Sequence, residues 1–406
     1  MPPLSPSHRE LYARTVDAQM LAYERLIEIL KSQMANDYYE RFPARSKQRD
    51  RWDAVVEKRT YEVARYVLGV GTVAYLYHTL NALTLLRYSK LCKFFETPTE
   101  QQAVVAKMLE KVNQADPLFE RELSDSISPE DTIEYQLLNQ FLGHAVSDRE
   151  SFIRNFDSGL ENRSSKLVGW TVEGQALLAR AVRLALASEN LTDEQALCFV
   201  LDPAHNKILA DSLNPSGQDK LSQVLRHLHF VFEKKLSHCA DSQDQRHRAV
   251  PSSLPVLFLH YNGKPDYVTP YAITENPLAG EIYSECMEHT FKVVNDLLNG
   301  GVSREFAFYL LPNALSIRMM TSGELLSLHH KWKLRSCYNA QEEIFRATVE
   351  EIAQVQERFP HVGRFLRAPC FLRKQAGKTP YCPEGERFCG LPVWNYEISQ
   401  YQRRSL

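Results

Sequence analysis

The strongest chemical signal in the sequence is Arg246-His247-Arg248, with Gln243 three residues upstream. Arg246 and Arg248 present planar forks of N–H donors suited to phosphate oxygens or to the polar edge of a heterocycle. His247 between them can hydrogen-bond a ring carbonyl in either protonation state. Two arginines on a loop are more often simply solvated, so the elements that position the triplet decide its meaning. A second constellation is Cys370, Cys382 and Cys389 near the end of the chain. Three thiolates in one short segment can bind Zn²⁺ with a fourth ligand such as His361. No Cys-x-x-Cys pair is present, and the simpler reading is a loop-rich cap over residues 366–406 with reduced thiols, no metal, and a turn marked by Pro383 and Gly385.

The elements around the triplet are legible from periodicity. Residues 228–235, LHFVFEKK, alternate apolar and polar side chains and predict a strand before the triplet, and PVLFLHY, residues 255–261, predicts another after it. Upstream, residues 10–31 space Leu11, Val16, Leu21, Leu26 and Leu30 at helical intervals among charges. After a polar stretch, NDYYERFPARSKQRD, a second helical block begins near Ala54, and EQQAVVAKMLEKV predicts a further amphipathic helix. Residues 66–86 lack Asp, Glu, Lys and Arg over a membrane-spanning length. His78, Asn81, two Gly and three Thr within them argue for a buried helix pair and against a membrane span.

The 406 residues carry 48 Lys+Arg against 50 Asp+Glu, a formal charge of −2, which excludes a nucleic-acid binder acting through bulk charge. That length allows two or three domains. With 44% hydrophobic residues and only 16 Gly, the composition excludes disorder and leans towards helix. Scattered cysteines and an N-terminus without an apolar signal region predict a reducing, cytoplasmic setting with no membrane partner.

The segment starting at Tyr61, YEVARYVLGVGTVAYLYHTLNALTLL, aligns without a gap to REFAFYLLPNALSIRMMTSGELLSLH starting at Arg304, an offset of 243 (304 − 61). Glu62 pairs with Glu305, Ala64 with Ala307, Leu68 with Leu311 and Leu85 with Leu328, and a three-residue slip brings Gln101 onto Gln341. The ordered series predicts an ancient tandem duplication, a pseudo-dimer whose copies diverged around a composite site.

Gln243 to Arg248, then GVSREFAFYLLP at 301–312, then LHHKWKLRSCYNAQEEI at 328–344, together resemble the flavin-dependent thymidylate synthases in order and approximate spacing. The resemblance covers residues 225–360 well and 11–109 as a weaker second copy. It implies a predominantly helical α+β fold of two such units: residues 1–125 a degenerate first copy lacking its sheet half, 126–365 the copy with the Arg-His-Arg segment, then the cap. It also implies FAD, with NADPH and methylenetetrahydrofolate as co-substrates, and methylation at C5 of a uracil nucleotide, dUMP to dTMP, by a monomer or homodimer. Carried over residue by residue, Arg246, His247, Arg248, Asn81 and His330 fall at the flavin. Gln243, Arg335, Arg65 and Ser252 fall at the nucleotide, with Arg248 and Arg335 as the catalytic pair and no cysteine nucleophile.

The chain also departs from the family pattern. After the triplet, the family's Ser, Asn-Glu and Arg-Tyr elements give way to residues 249–255, with Pro251 at the first Ser position and Ser252 one residue late. The last Arg of the Arg-Glu-x-Ala-Arg pattern is Phe308 in the second copy and Arg65 in the first. Asn81 is matched by Glu324, and Cys92 by Arg335, so each copy keeps groups the other has lost. These departures leave two alternatives: a flavoprotein acting on another nucleobase or natural-product substrate, and a non-catalytic scaffold.

Overall fold

The computed structural model describes residues 1–119, 121, 127–141 and 146–401. Its longest element is helix α1, Pro6–Arg41, begun by a Ser5 cap that accepts from the His8 N–H and by proline in the first turn. The helix runs well into the stretch that reads as polar, because Tyr38 and Tyr39 are buried. Its buried stripe is Tyr12, Thr15, Gln19, Ala22, Leu26, Leu30 and Met34, while Val16 and Leu21 are 39% and 57% exposed. Steps of three and four residues stay on one helix face, whereas the five-residue steps of the predicted line drift around it. Gln19 is tolerated inside because its Nε2 donates to the Leu310 carbonyl at 2.8 Å and to Thr290 Oγ1 at 3.3 Å. Through this face α1 packs on helix Pro277–Asn299, and α2, Arg49–Ala64, folds back along it. Leu26, Leu30, Met34, Tyr66 and Val67 share one core with Ile273, Ile282, Tyr283 and Met287.

Four antiparallel strands, β1 Ser165–Trp170, β2 His229–Ser237, β3 Ser252–Ser253 and β4 Ser316–Glu324, form a sheet of order β1-β2-β4-β3. The fold is therefore α+β and predominantly helical, as expected, with its first strand among the described residues at Ser165. β2 is the predicted strand and pairs with β4 from His229 opposite Glu324 to Ser237 opposite Ser316. The strand predicted over 255–261 does not form. Leu257–His260 is a helical turn, with the Tyr261 N–H donating to the Leu257 carbonyl at 3.0 Å. Leu257, Phe258 and Tyr261, at helical spacing, pack together on the core of Phe291 and Phe308, and an alternating strand could not aim them all one way. Two strands run straight into helices, β2 into His238–Asp244 and β4 into Leu325–Arg335, and Glu342–Arg358 follows.

Residues 66–86 do not form a buried helix pair. After the turn Arg65–Val67 and the bridge at Gly69, residues 72–81 form neither helix nor strand, leaving Val73, Tyr75, Leu76 and Tyr77 exposed before helix Ala82–Phe94. Among the described residues no helix is long and apolar enough to cross a membrane. Gly69 and Gly71 carry the chain so close to Tyr309 that a Cβ on Gly69 would stand 2.8 Å from its carbonyl oxygen. Gly69→Ala is expected to cost about 1–3 kcal/mol, read as a lower urea midpoint. At this crossing, the Val70 N–H donates to Leu311 O and the Asn313 N–H to Leu68 O, both at 2.8 Å. The Gly71 N–H donates to Tyr309 O and the Ala314 N–H to Tyr66 O, both at 2.9 Å, around a bridge between Gly69 and Pro312. A shift of 243 residues (312 − 69) maps each bond onto its mate. The same shift superposes the starts of Ala82–Phe94 and Leu325–Arg335, and both ends of the 17-residue helices Thr99–Ala115 and Glu342–Arg358.

Candidate functional site

The site is built on β2, whose inward side chains are Phe230, Phe232, Lys234 and Leu236. Lys234 thus carries its ammonium into the core, 2.5 Å from Glu351 and 3.5 Å from Asp244. Lys331 Nζ donates to Asp244 Oδ2 at 2.6 Å, Trp332 Nε1 to Glu351 Oε2 at 2.6 Å, and Ser165 Oγ to Glu351 Oε1 at 3.0 Å. All four charged side chains are buried. Burial disfavours an ionised Asp244, yet Lys234 and Lys331 outweigh it and hold the carboxyl well below the usual carboxylate range. Asp244 ends the helix from which the cationic turn springs. There the Arg246 N–H donates to Gln243 O at 3.3 Å, the His247 N–H to Asp244 O at 3.1 Å and the Val250 N–H to His247 O at 2.8 Å.

The end of Leu325–Arg335 clasps this turn. Arg335 Nε donates to His247 Nε2 at 3.0 Å and its Nη2 to the Gln243 carbonyl at 3.0 Å. The His330 ring stands edge-on to His247, centroids 5.9 Å apart. Acceptance at Nε2 assigns His247 as neutral, with its proton on Nδ1. Burial, then the Arg335 and Lys331 cations, pull its pKa down to about 4, and burial takes His329 to about 3. Both folded values lie below the ordinary 6.5, so the folded chain binds fewer protons than the unfolded chain in between. Stability is therefore expected to fall as pH drops from 6.5 through 4 towards 3, followed by urea melts across that range; a flat profile would contradict it.

The other predicted residues divide. Arg246 and Arg248 are exposed on the turn, and Ser252 lies in β3 opposite Thr321. Asn81 is an exposed helix cap whose Oδ1 accepts from the Thr84 N–H and Oγ1–H, both at 2.9 Å, and its described bonds stay within its own helix. Arg65 lies within electrostatic reach of the Cys239 thiol in the second half of the chain, and Cys239 stands one helical turn before Gln243. The Arg65 Nε is buried without a partner among the described residues, as is His330 Nδ1.

Residue-by-residue reasoning missed Tyr66 and Glu343. The Tyr66 hydroxyl donates to Glu343 Oε1 and accepts from Gln341 Nε2 at 2.5 Å, and Glu343 also accepts from the Ser237 N–H at 2.7 Å. It missed the buried ion quartet too, although Lys234 in the apolar phase of a strand is a readable sign of one. Beyond Tyr66 opens a cavity of about 660 Å³, lined by Tyr38, Arg45, Trp52, Arg59, Gln341 and Phe388 among others. Arg45 lies 4.1 Å from the ring centroids of both Phe42 and Trp52. The cavity borders the Arg65 region through Tyr66, but Gln243, Arg246, His247, Arg248 and Arg335 do not line it.

Fold and site together define a predominantly helical α+β protein whose cationic turn follows a sheet strand and is held by an arginine at a helix end. The family model described as Thy1, thymidylate synthase complementing protein, matches residues 1–118 and 166–361, and the chain belongs to that family. It is similar to the flavin-dependent thymidylate synthase of Geobacter sulfurreducens, 27% identical over 227 residues that cover 55% of this chain and 92% of that protein. It is also similar to the flavin-dependent thymidylate synthase of Pyrococcus abyssi, 29% identical over 171 residues, 40% of this chain and 68% of the relative. The enzyme of the same name from Sulfurisphaera tokodaii is 24% identical over 224 residues, 52% of this chain and 79% of that protein.

Proposed function

We propose that the chain is a tandem pseudo-dimer that methylates a uracil nucleotide at C5, dUMP to dTMP, using FAD, NADPH and methylenetetrahydrofolate. The observation that carries this reading is the clasp of Arg335 on His247 and Gln243. The pseudo-dimer is supported by the reciprocal bonds between residues 66–71 and 309–314, the signature of a two-fold contact. The donor set fits a flavin nucleotide: Arg246 and Arg248 are exposed forks for its phosphates. His247 Nδ1–H and the unpartnered His330 Nδ1 offer a donor and an acceptor to the polar edge of the ring. Flavin, when bound, supplies the hydride chemistry.

The chain's own contribution is placement and charge. Arg335 keeps His247 neutral and oriented, and Gln243 and Arg65 hold the nucleotide, with Ser252 near the strand end. Arg248, exposed on the turn, supplies a cation to the reacting pair. Asn81 enters this site only if a second copy brings it there. The exposed row of Val73, Tyr75, Leu76 and Tyr77 favours a homodimer over a monomer, to be read by light scattering. The setting is cytoplasmic.

The test is the visible spectrum of the purified protein after FAD is added and the excess removed. A bound flavin band bleached by NADPH, followed by methylated product from dUMP with the folate donor, is the expected result. Absence of flavin binding would remove the reading, and flavin binding without product from any uracil nucleotide would move it to another substrate.

A further inference from the structure

The three tail cysteines do not stand alone. Cys337, from the loop between Leu325–Arg335 and Glu342–Arg358, joins Cys370, Cys382 and Cys389 in lining one cavity of about 10 Å³, room for about one water-sized particle. All four are free thiols, and Cys370 lies within electrostatic reach of the other three. His361 is exposed on the turn Pro360–Gly363 and does not line the cavity.

The local backbone suits sulfur ligands. Gly385 and Gly390 turn the chain back beside Cys382 and Cys389 at φ of +56° and +82°, a conformation that glycine adopts readily. Arg59 lies within electrostatic reach of Cys389, and Arg373 of Cys382, so two cations face the cluster. Among the described ion pairs none engages Arg59, whose Nη2 donates to Asn339 Oδ1 at 3.2 Å.

We propose that Cys337, Cys370, Cys382 and Cys389 bind one structural zinc ion that ties the C-terminal tail to the loop between Arg335 and Gln341. Four cysteines lining a single-atom space supply the all-thiolate ligand set that zinc accepts. Among the described residues no three such side chains already stand in ligating positions, so the thiols must swing inward about their side-chain bonds as the metal enters. Each thiol gives its proton to solvent and nothing is oxidised or reduced. The resulting dianionic centre is balanced by Arg59 and Arg373. Because Phe388 and Cys389 also line the larger cavity, the ion holds one of its walls. This inference is independent of the flavin reading.

The test is metal analysis of the full chain, any tag removed, after gel filtration, together with a Co²⁺ titration of the chelator-treated protein. The expected result is about one zinc per chain and the intense visible bands of tetrahedral Co²⁺-thiolate. Cys382→Ser with Cys389→Ser should lose the metal, while Cys198→Ser, on a helix away from the cluster, keeps it. Metal below about a tenth of the chain concentration and no Co²⁺ spectrum with all thiols reduced would overturn the proposal, as would iron in place of zinc. If the double variant fails to fold, the Co²⁺ titration of the unaltered chain decides.

Discussion

Asp244→Ala is expected to lower folding stability by about 3–5 kcal/mol, the usual loss when one partner of a buried charge network is removed. The substitution leaves Lys331 without its 2.6 Å carboxylate and Lys234 with Glu351 alone. Adding Lys331→Met should recover part of the loss, because the uncompensated charge then disappears. Equal losses in the single and double variants would show that charge is not the cause. Since the folded pKa of Asp244 is depressed, its contribution is present above the ordinary 3.8 and is lost as pH falls below that value. The turn bearing Arg246 to Arg248 starts at Asp244, so the same substitution should also loosen it, visible as faster amide exchange there.

Arg246→Ala is expected to leave stability within about 0.5 kcal/mol, since the side chain is exposed, while weakening FAD binding about 10- to 150-fold. That range corresponds to about 1.5–3 kcal/mol for a hydrogen bond to a charged group. Unchanged flavin occupancy would sink the assignment of the turn. Arg335→Ala acts differently. It frees His247 Nε2 and removes a neighbouring cation, so the histidine pKa should rise from about 4 towards the ordinary 6.5, followed by NMR titration. A variant that weakens flavin binding without moving the histidine would place Arg335 on the ligand alone.

Some of this architecture is legible in the linear sequence because the signal is local. β2 follows from strict alternation, helix Thr99–Ala115 from its periodicity, and the cationic turn from residue type and spacing. The 243-residue offset of the alignment equals the number difference between the matched helix ends and between the paired bonds at Gly69 and Pro312, and the proposed duplication rests on that agreement. Family membership, too, rests on ordered motifs that need no coordinates.

Other features depend on groups distant in the chain. Leu257–His260 is helical because Phe291 and Phe308 collect its apolar side chains on one side. Residues 72–81 form neither helix nor strand after two glycines graze Tyr309. The α1 stripe shifted to include Gln19 because Leu310 and Thr290 supply its hydrogen bonds. Lys234 is charged inside the core only because Asp244 and Glu351 arrive from other elements, and Cys337 meets the tail cysteines only after the chain has folded over itself. Local sequence thus determined β2, helix Thr99–Ala115 and the candidate turn. Tertiary structure decided which buried polar group found its partner, because desolvation makes each such group depend on atoms that the chain brings together only by folding.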